Sequence, residues 1–252
     1  MKTLENHTAR PNRTLENFTI IYDSDCPLCM AYTNAFITTK MLDKDGRVPY
    51  QQVGGSFSPE LDAERAKNEI ALIDRATGKV RYGLDSLIHI LGYRHPWMGK
   101  IVGFLPINIL VRGLYSLISY NRKVIIPAVK TNKSLYECVP SFNFNYRVTY
   151  IVLTWFLTSI TLVKYSSFLT GFIPETNLTR EFLICGGQVV FQSIAVGLLF
   201  VLRTAVPPLE VRRRVKGEEL SEYLGNMMTV SLFGAILLLP AIIIGSIFPE
   251  IP

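Results

Sequence analysis

The residues best suited to chemistry are Cys26, Pro27, Leu28 and Cys29. Cysteines at i and i+3 on the first turn of a helix share a face and lie within reach of a disulfide. The free N–H groups of a helix start favour a thiolate on the first sulfur and lower its pKa. Cys26 is therefore the expected nucleophile toward a substrate disulfide. Cys29 is the expected resolving thiol that releases the mixed disulfide. Pro27 has no N–H to donate, and none is required so early in a helix. Asp23 and Asp25 lie just upstream, and their charges oppose thiolate formation. Asp25 suits a helix cap. Asp23 suits either a turn or a buried proton acceptor for Cys29. Two other readings of the cysteine pair stay open. Half of a zinc site would need two further ligands. The candidates are His7, His89, His95, Cys138 and Cys185, which form no second spaced pair, so neither zinc nor another cofactor is expected. Two inert structural cysteines are the remaining alternative.

The flanking sequence supplies elements that could position such a pair. Phe18 to Tyr22 is a β-branched and aromatic run, read as a strand buried on both faces. The helix that opens at Cys26 runs to about Leu42. Val48 to Val53 read as a second strand and Glu60 to Lys67 as a short helix. Ile70 to Asp74 and Val80 to Tyr82, joined through Gly78, read as a hairpin. Leu84 to Leu91 read as a helix. Pro106 suits the first turn of a helix continuing to Tyr120, with Leu110, Leu114, Leu117 and Ile118 on one face, expected to be core, with a membrane-surface face as the alternative. Strand, helix, strand, helix, hairpin, helix is a small α/β layer structure. A strand, a turn and then Cys-x-x-Cys on the helix start is a thioredoxin-like redox arrangement.

The run from Tyr22 through Asp23, Ser24 and Asp25 to Cys26, Pro27, Leu28 and Cys29 resembles the signature of the DCC family of thiol-disulfide oxidoreductases. That family is named for an Asp-x-x-Cys-x-x-Cys motif, here Asp23, Cys26 and Cys29. Gly83, Leu84, Asp85 and Ser86 are similar to the family's helix start, with Ser86 where Ala is usual. Tyr115 and the Asn121–Arg122 pair are similar to its final helix. The resemblance covers roughly residues 18–130. It implies a thioredoxin-like fold and dithiol–disulfide exchange, with Asp23, Asp85 and Arg122 in family motifs. Asp85 also suits a helix cap, and Arg122 a structural ion pair or a membrane-facing base. Thioredoxins hold substrate backbone against a cis-proline opposite the redox pair. No proline stands directly before the strand at Ile70 here.

The rest of the chain has a different composition. Over all 252 residues, 49% are hydrophobic and only 18% charged, against roughly 25% charged in globular domains. The excess is concentrated. From Val148 to Ile173 the single charge is Lys164, and Phe182 to Leu202 and Tyr223 to Pro249 carry none. Each stretch is long enough for a bilayer core of about 30 Å. Spans are expected at about 148–170, 182–204 and 226–248, with Pro240 tolerated in the third. The expected order is a polar tail (1–17), a redox domain (18–135), a linker (136–147) and a membrane domain (148–252).

Arg203, Arg212, Arg213, Arg214 and Lys216 lie between the second and third spans. Arg122, Lys123, Lys130, Lys133 and Arg147 precede the first. By the positive-inside rule these place the N-terminal domain in the cytoplasm and the C-terminus outside, as in a bacterial inner-membrane protein. The glycosylation-type sequons at Asn6, Asn12 and Asn17 are then chance. The net charge of +6 reads as a topology signal, and no nucleic-acid partner is expected. Cys138 and Cys185 are single and far apart in sequence, so a thiol relay to a membrane quinone is not expected. The leading reading is a membrane-anchored thiol-disulfide oxidoreductase acting on a client protein or a low-molecular-weight disulfide, with the bilayer and a membrane protein as partners. The rival is a non-catalytic adaptor that uses the same domain for docking.

Overall fold

A computed structural model of the chain describes residues 14–53, 59–127, 136–169, 176–202 and 209–247. It divides into two compact units: residues up to Arg122 together with 126–141, and residues 123–125 together with those from Phe142 onward.

The first unit is built on a four-stranded sheet, β1 (Phe18–Tyr22), β2 (Arg47–Pro49), β3 (Ala71–Asp74) and β4 (Val80–Tyr82), in the order β2-β1-β3-β4. β2 runs parallel to β1, while β3 and β4 are antiparallel neighbours. The parallel pair needs a crossover, and α1 (Pro27–Thr38) supplies it. The short helices α2 (Tyr50–Val53) and α3 (Ala63–Asn68) lead from β2 to β3. The hairpin turn uses Gly78 at φ +74°, a conformation open to glycine at no steric cost. Gly83 repeats the device at φ +58°, where the chain turns from β4 into α4 (Gly83–Arg94). The helices α5 (Pro96–Gly103) and α6 (Leu105–Ile125) follow, separated by a bend of 94°.

Alternation along β1 divides the core. Ile20 packs with Leu15, Phe36, Leu42, Leu72 and Ile90. Ile21 points the other way and packs with Tyr50, Leu61, Ala66, Ala71 and Ile73. Both β1 isoleucines are fully buried, each contributing roughly 1.5–3 kcal/mol of transfer free energy. A strand covered on both faces by successive apolar residues is what the run from Phe18 to Tyr22 implied.

The second unit contains α7 (Phe144–Ser166), α8 (Leu178–Leu202) and α9 (Leu209–Ile247). Three segments, Phe144–Leu169, Leu178–Leu199 and Gly217–Ile247, are long and apolar enough to cross a membrane. Several polar side chains find partners inside the bundle, as lipid requires, although the Thr158 hydroxyl and the Nε and Nη1 of Arg147 are buried without a hydrogen bond. The Tyr150 and Thr229 hydroxyls lie 2.7 Å apart, and Thr154 and Ser159 donate to carbonyls one turn back. Trp155 donates from Nε1 to the Phe182 carbonyl at 3.0 Å and stacks on the Phe182 ring. Gly186 makes room for that indole, because a Cβ there would overlap it. Gly187 meets nothing, so only the first of the two glycines packs.

Several expectations need correction. The second strand stops at Pro49, which has no N–H to extend a ladder, and Tyr50 to Val53 are helical. The polar tail is shorter than 17 residues: Leu15 is buried and bridges to Leu42. Residues 136–141 are not a free linker, since Cys138 is in the core and Ser141 is bound to Asn68. The helix of the first candidate span begins at Phe144, behind an Asn143 cap. Of these four α6 residues Leu117 is core, whereas Leu110, Leu114 and Ile118 are exposed. His7, Asn6, Asn12, Lys130, Lys133 and Arg203 lie outside the described residues. Residues 212–216 are helical in α9, with side chains outside the description.

Candidate functional site

Cys26 sits one residue before its helix. It is the N-cap of α1, with extended backbone (φ −96°, ψ 109°), and Pro27 opens the helix. The Cys26 sulfur takes the place a capping oxygen usually has: it accepts the Cys29 N–H at 3.4 Å. Asp25 is therefore not the cap, and its own N–H donates to Asp23 Oδ1 at 3.0 Å. An amide donor and a helix N-terminus both favour a negative sulfur.

The four described cysteines are free thiols. The pKa of Cys26 is lowered from 9.0 to about 6, first because the Cys29 thiol hydrogen-bonds to it. Burial opposes this, the Cys29 N–H and Arg122 assist, and Asp23 opposes. Cys29 moves the other way, well above the ordinary thiol value, because it donates to Cys26 and because it is buried. One proton shared between two sulfurs is thus left on Cys29. Such a pair titrates as a unit, with the first thiolate on Cys26.

Beneath the pair lies a buried ion pair. Arg122 Nη2 is 3.1 Å from Asp23 Oδ2, and both side chains are almost fully buried. The Asp23 carboxylate is saturated on its other side, where Gln51 Nε2 donates to Oδ1 at 2.6 Å. Arg122 also donates to the Lys67 carbonyl at 2.9 Å and to the carbonyl and sulfur of Cys138 at 3.2 and 3.4 Å. A buried charge is tolerable only when so paired and hydrogen-bonded. α6 delivers this guanidinium from 99 residues downstream of Asp23, through contacts along one face. Tyr115 accepts the Ile70 N–H at 3.2 Å, and Ser119 donates to the Asn68 carbonyl.

The other sequence candidates are placed as follows. Tyr22 lines the pair with Leu28 and Tyr32, and the Arg47 guanidinium lies 4.9 Å over its ring. Pro27 is the first helical residue of α1. Asp85 is neither in the site nor a cap: it lies in the first turn of α4, exposed, 2.6 Å from Arg112. Ser86 is buried and donates to the Arg81 carbonyl. Asn121 donates to the Leu117 carbonyl within α6. Glu69, not a proline, stands directly before Ile70. The Ile70 backbone behind it is already tied, its N–H to Tyr115 and its carbonyl to the Gly83 N–H.

The sequence reading did not single out Tyr32 or Gln51, and it left Cys138 without a role beside the pair. Tyr32 lies one turn beyond Cys29 on α1, and a hydrogen bond links its hydroxyl to the Cys29 sulfur. The i+3 spacing from Cys29 was the available signal for Tyr32. Gln51 and Cys138 offered none, because only the fold brings them to Asp23 and Arg122. Burial pushes the Cys138 thiol up to about 12, which leaves it protonated at neutral pH. Among the described residues no group of His, Cys, Asp and Glu could hold a metal ion.

The first unit is a mixed α/β domain with a four-stranded sheet and a Cys-x-x-Cys pair at the start of α1. Residues 20–126 match the model of the DCC1-like thiol-disulfide oxidoreductase family. The chain therefore carries a DCC1-like thiol-disulfide oxidoreductase domain, followed by three long apolar helices. No curated protein and no solved structure matches it.

Proposed function

We propose that the protein is a membrane-anchored thiol-disulfide oxidoreductase in which Cys26 is the nucleophile and Cys29 the resolving thiol. The observation that carries this reading is the placement of the Cys26 sulfur as the cap of α1, accepting the Cys29 N–H at 3.4 Å; the lowered pKa of Cys26 and the raised one of Cys29 agree with it. The Cys26 thiolate attacks one sulfur of a client disulfide, and the client's other sulfur leaves as a thiolate that takes a proton from solvent. Cys29 then loses its proton and attacks the Cys26 sulfur. The client's second sulfur leaves as a thiol, and a Cys26–Cys29 disulfide remains. Two electrons have passed to the client. A low-molecular-weight thiol or a dithiol protein returns them.

Arg122 and Asp23 are positioning residues in this scheme. The guanidinium favours negative charge on either sulfur, and the carboxylate fixes the guanidinium. Cys26 is only 3% exposed, so exchange requires movement of the side chains over its sulfur. The tied backbone at Ile70 argues against docking an extended peptide in the thioredoxin manner. Clients would then be small disulfides or membrane proteins with a locally accessible disulfide.

The basic residues around the spans support a cytoplasmic N-terminal domain and an outer C-terminus, where thiols are kept reduced and reduction of clients is the expected direction. The decisive experiment is trapping with Cys29→Ser in membranes. Mixed disulfides at Cys26 are expected, and their absence would remove the enzymatic reading in favour of the adaptor. For orientation, a cysteine at exposed Met30 in a Cys26→Ser/Cys29→Ser background should resist a membrane-impermeant thiol reagent in intact cells.

A further inference from the structure

We propose that α5 and the first half of α6 lie along the surface of an anionic bilayer, as an interfacial elbow distinct from the three spans. Two independent observations carry this. The first is exposure. Trp97, Ile101, Phe104, Leu105, Ile109 and Leu110 are all solvent-facing, Trp97 at 61% and Leu110 at 71%. Six large apolar side chains exposed within fourteen residues are more than scattered surface residues, and clustered exposure of this kind marks a membrane or protein contact site. The second is charge. From Ser86 to Tyr136 the sequence has no Asp or Glu, while it has Arg94, Lys100, Arg112, Arg122, Lys123, Lys130 and Lys133. Arg112 is paired with Asp85 and Arg122 with Asp23, but Lys100 is exposed on α5 itself. Apolar residues with Trp on one side and bases without acids around them are the composition of an interfacial helix on anionic lipid.

By length and composition α5 and α6 together could also form one bent span, but three features favour the surface. A 94° bend separates α5 from α6, and Arg112 lies on α6. One face of α6 is committed to the redox domain through Tyr115, Ser119 and Arg122. A bilayer is also within reach by chain connectivity. Residues 126–143 alone separate the end of α6 from α7, the first candidate span. A protein partner with an acidic face is the competing occupant, and the test below separates it from lipid. Lipid contact on α6 would present Cys26 to clients at the membrane surface, because the same helix carries Arg122 into the site.

The chain has two tryptophans, Trp97 on α5 and Trp155 on α7. The full-length protein is reconstituted in phosphatidylcholine vesicles with and without phosphatidylglycerol, using acyl chains brominated near the headgroup or near the bilayer centre. Trp97 emission is obtained with Trp155→Phe and, independently, as the difference between the wild type and Trp97→Phe. Shallow bromines are expected to remove most of that emission, deep bromines much less, and aqueous iodide little. Shallow quenching should weaken when phosphatidylglycerol is omitted. Leu110→Glu/Leu114→Glu, at two exposed positions, should restore iodide quenching. Insensitivity to both brominated lipids would overturn the proposal, whether iodide quenches (a free surface) or does not (a protein-covered one). Stronger quenching by deep bromines would overturn it in favour of a fourth span. Equal quenching with and without phosphatidylglycerol would overturn the anionic part.

Discussion

Cys29→Ala tests the shared proton directly. It deletes the largest cause of the low Cys26 pKa and leaves the backbone N–H at position 29 and Arg122 in place. The midpoint should rise from about 6 toward the ordinary 9.0. At pH 7 a thiol titrating near 6 is about nine-tenths thiolate, and one titrating near 9 about one part in a hundred. Nucleophilicity falls with basicity, with a Brønsted slope of about 0.45, so three pH units cost the low-pKa thiolate a factor of roughly 20. Combining the two, the wild type should outpace the limiting variant by about fourfold at pH 7 and about 30-fold at pH 5.5. It should be about 20-fold slower at pH 10, where both are ionised. Residual stabilisation by the amide and Arg122 makes these upper limits. The assay is the rate of mixed-disulfide formation at Cys26 with a small aromatic disulfide, acid-quenched and read by mass spectrometry. The two rate–pH profiles should cross between pH 7 and 10. Parallel profiles, or a wild-type midpoint near 9, would refute the shared-proton account.

Other consequences can be measured with the same material. The folded Cys26 pKa lies below its unfolded value, so its stabilising contribution is full above pH 9 and lost as pH falls toward 6. The thermal midpoint of the reduced wild type should therefore gain on Cys26→Ser across that window. Arg122→Met leaves Asp23 buried and unpaired, which should cost roughly 3–5 kcal/mol in chemical denaturation. Asp23→Leu/Arg122→Met should cost less than the sum of its two single variants. Because Cys26 is buried, a bulky maleimide should label it far more slowly than iodoacetamide, whereas a cysteine at Met30 should not discriminate. Gly186→Leu must displace Trp155 from Phe182 and should lower the thermal midpoint in detergent, while Gly187→Leu should not.

What the sequence disclosed and what it withheld follow from the range of the interactions involved. The Cys26–Cys29 pair, the strand before it and the hairpin were legible because each rests on local pattern: a β-branched run, a proline after the first cysteine, a glycine turn. The three long apolar helices were legible because uninterrupted apolar length, of the kind a bilayer core demands, is visible in the sequence itself. Misreadings came where one residue outweighed the pattern. Pro49 ended a strand that Val48 to Val53 would otherwise have extended. The cap fell to the Cys26 sulfur because Asp25, the better capping residue by type, had its backbone drawn to Asp23. The α6 leucines were misassigned because periodicity reports that a helix has an apolar face without reporting what covers it.

The site itself is mostly long-range, and this bears on how it works. Gln51, Cys138 and Arg122 approach Asp23 from three separate segments, and none is fixed in place by its neighbours in sequence. Arg122 reaches the cysteines only while Tyr115 and Ser119 hold α6 against the strand and loop around Ile70 and Asn68. The electrostatic bias at Cys26 is thus coupled to the seating of α6. If lipid holds the outer face of that helix, Leu110→Glu/Leu114→Glu should shift the Cys26 rate–pH midpoint upward in vesicles, although both substitutions lie outside the redox site. The same pair in detergent, where no surface orders the elbow, should leave the midpoint where the wild type has it. A midpoint unchanged in both media would show that the redox site and the elbow are independent.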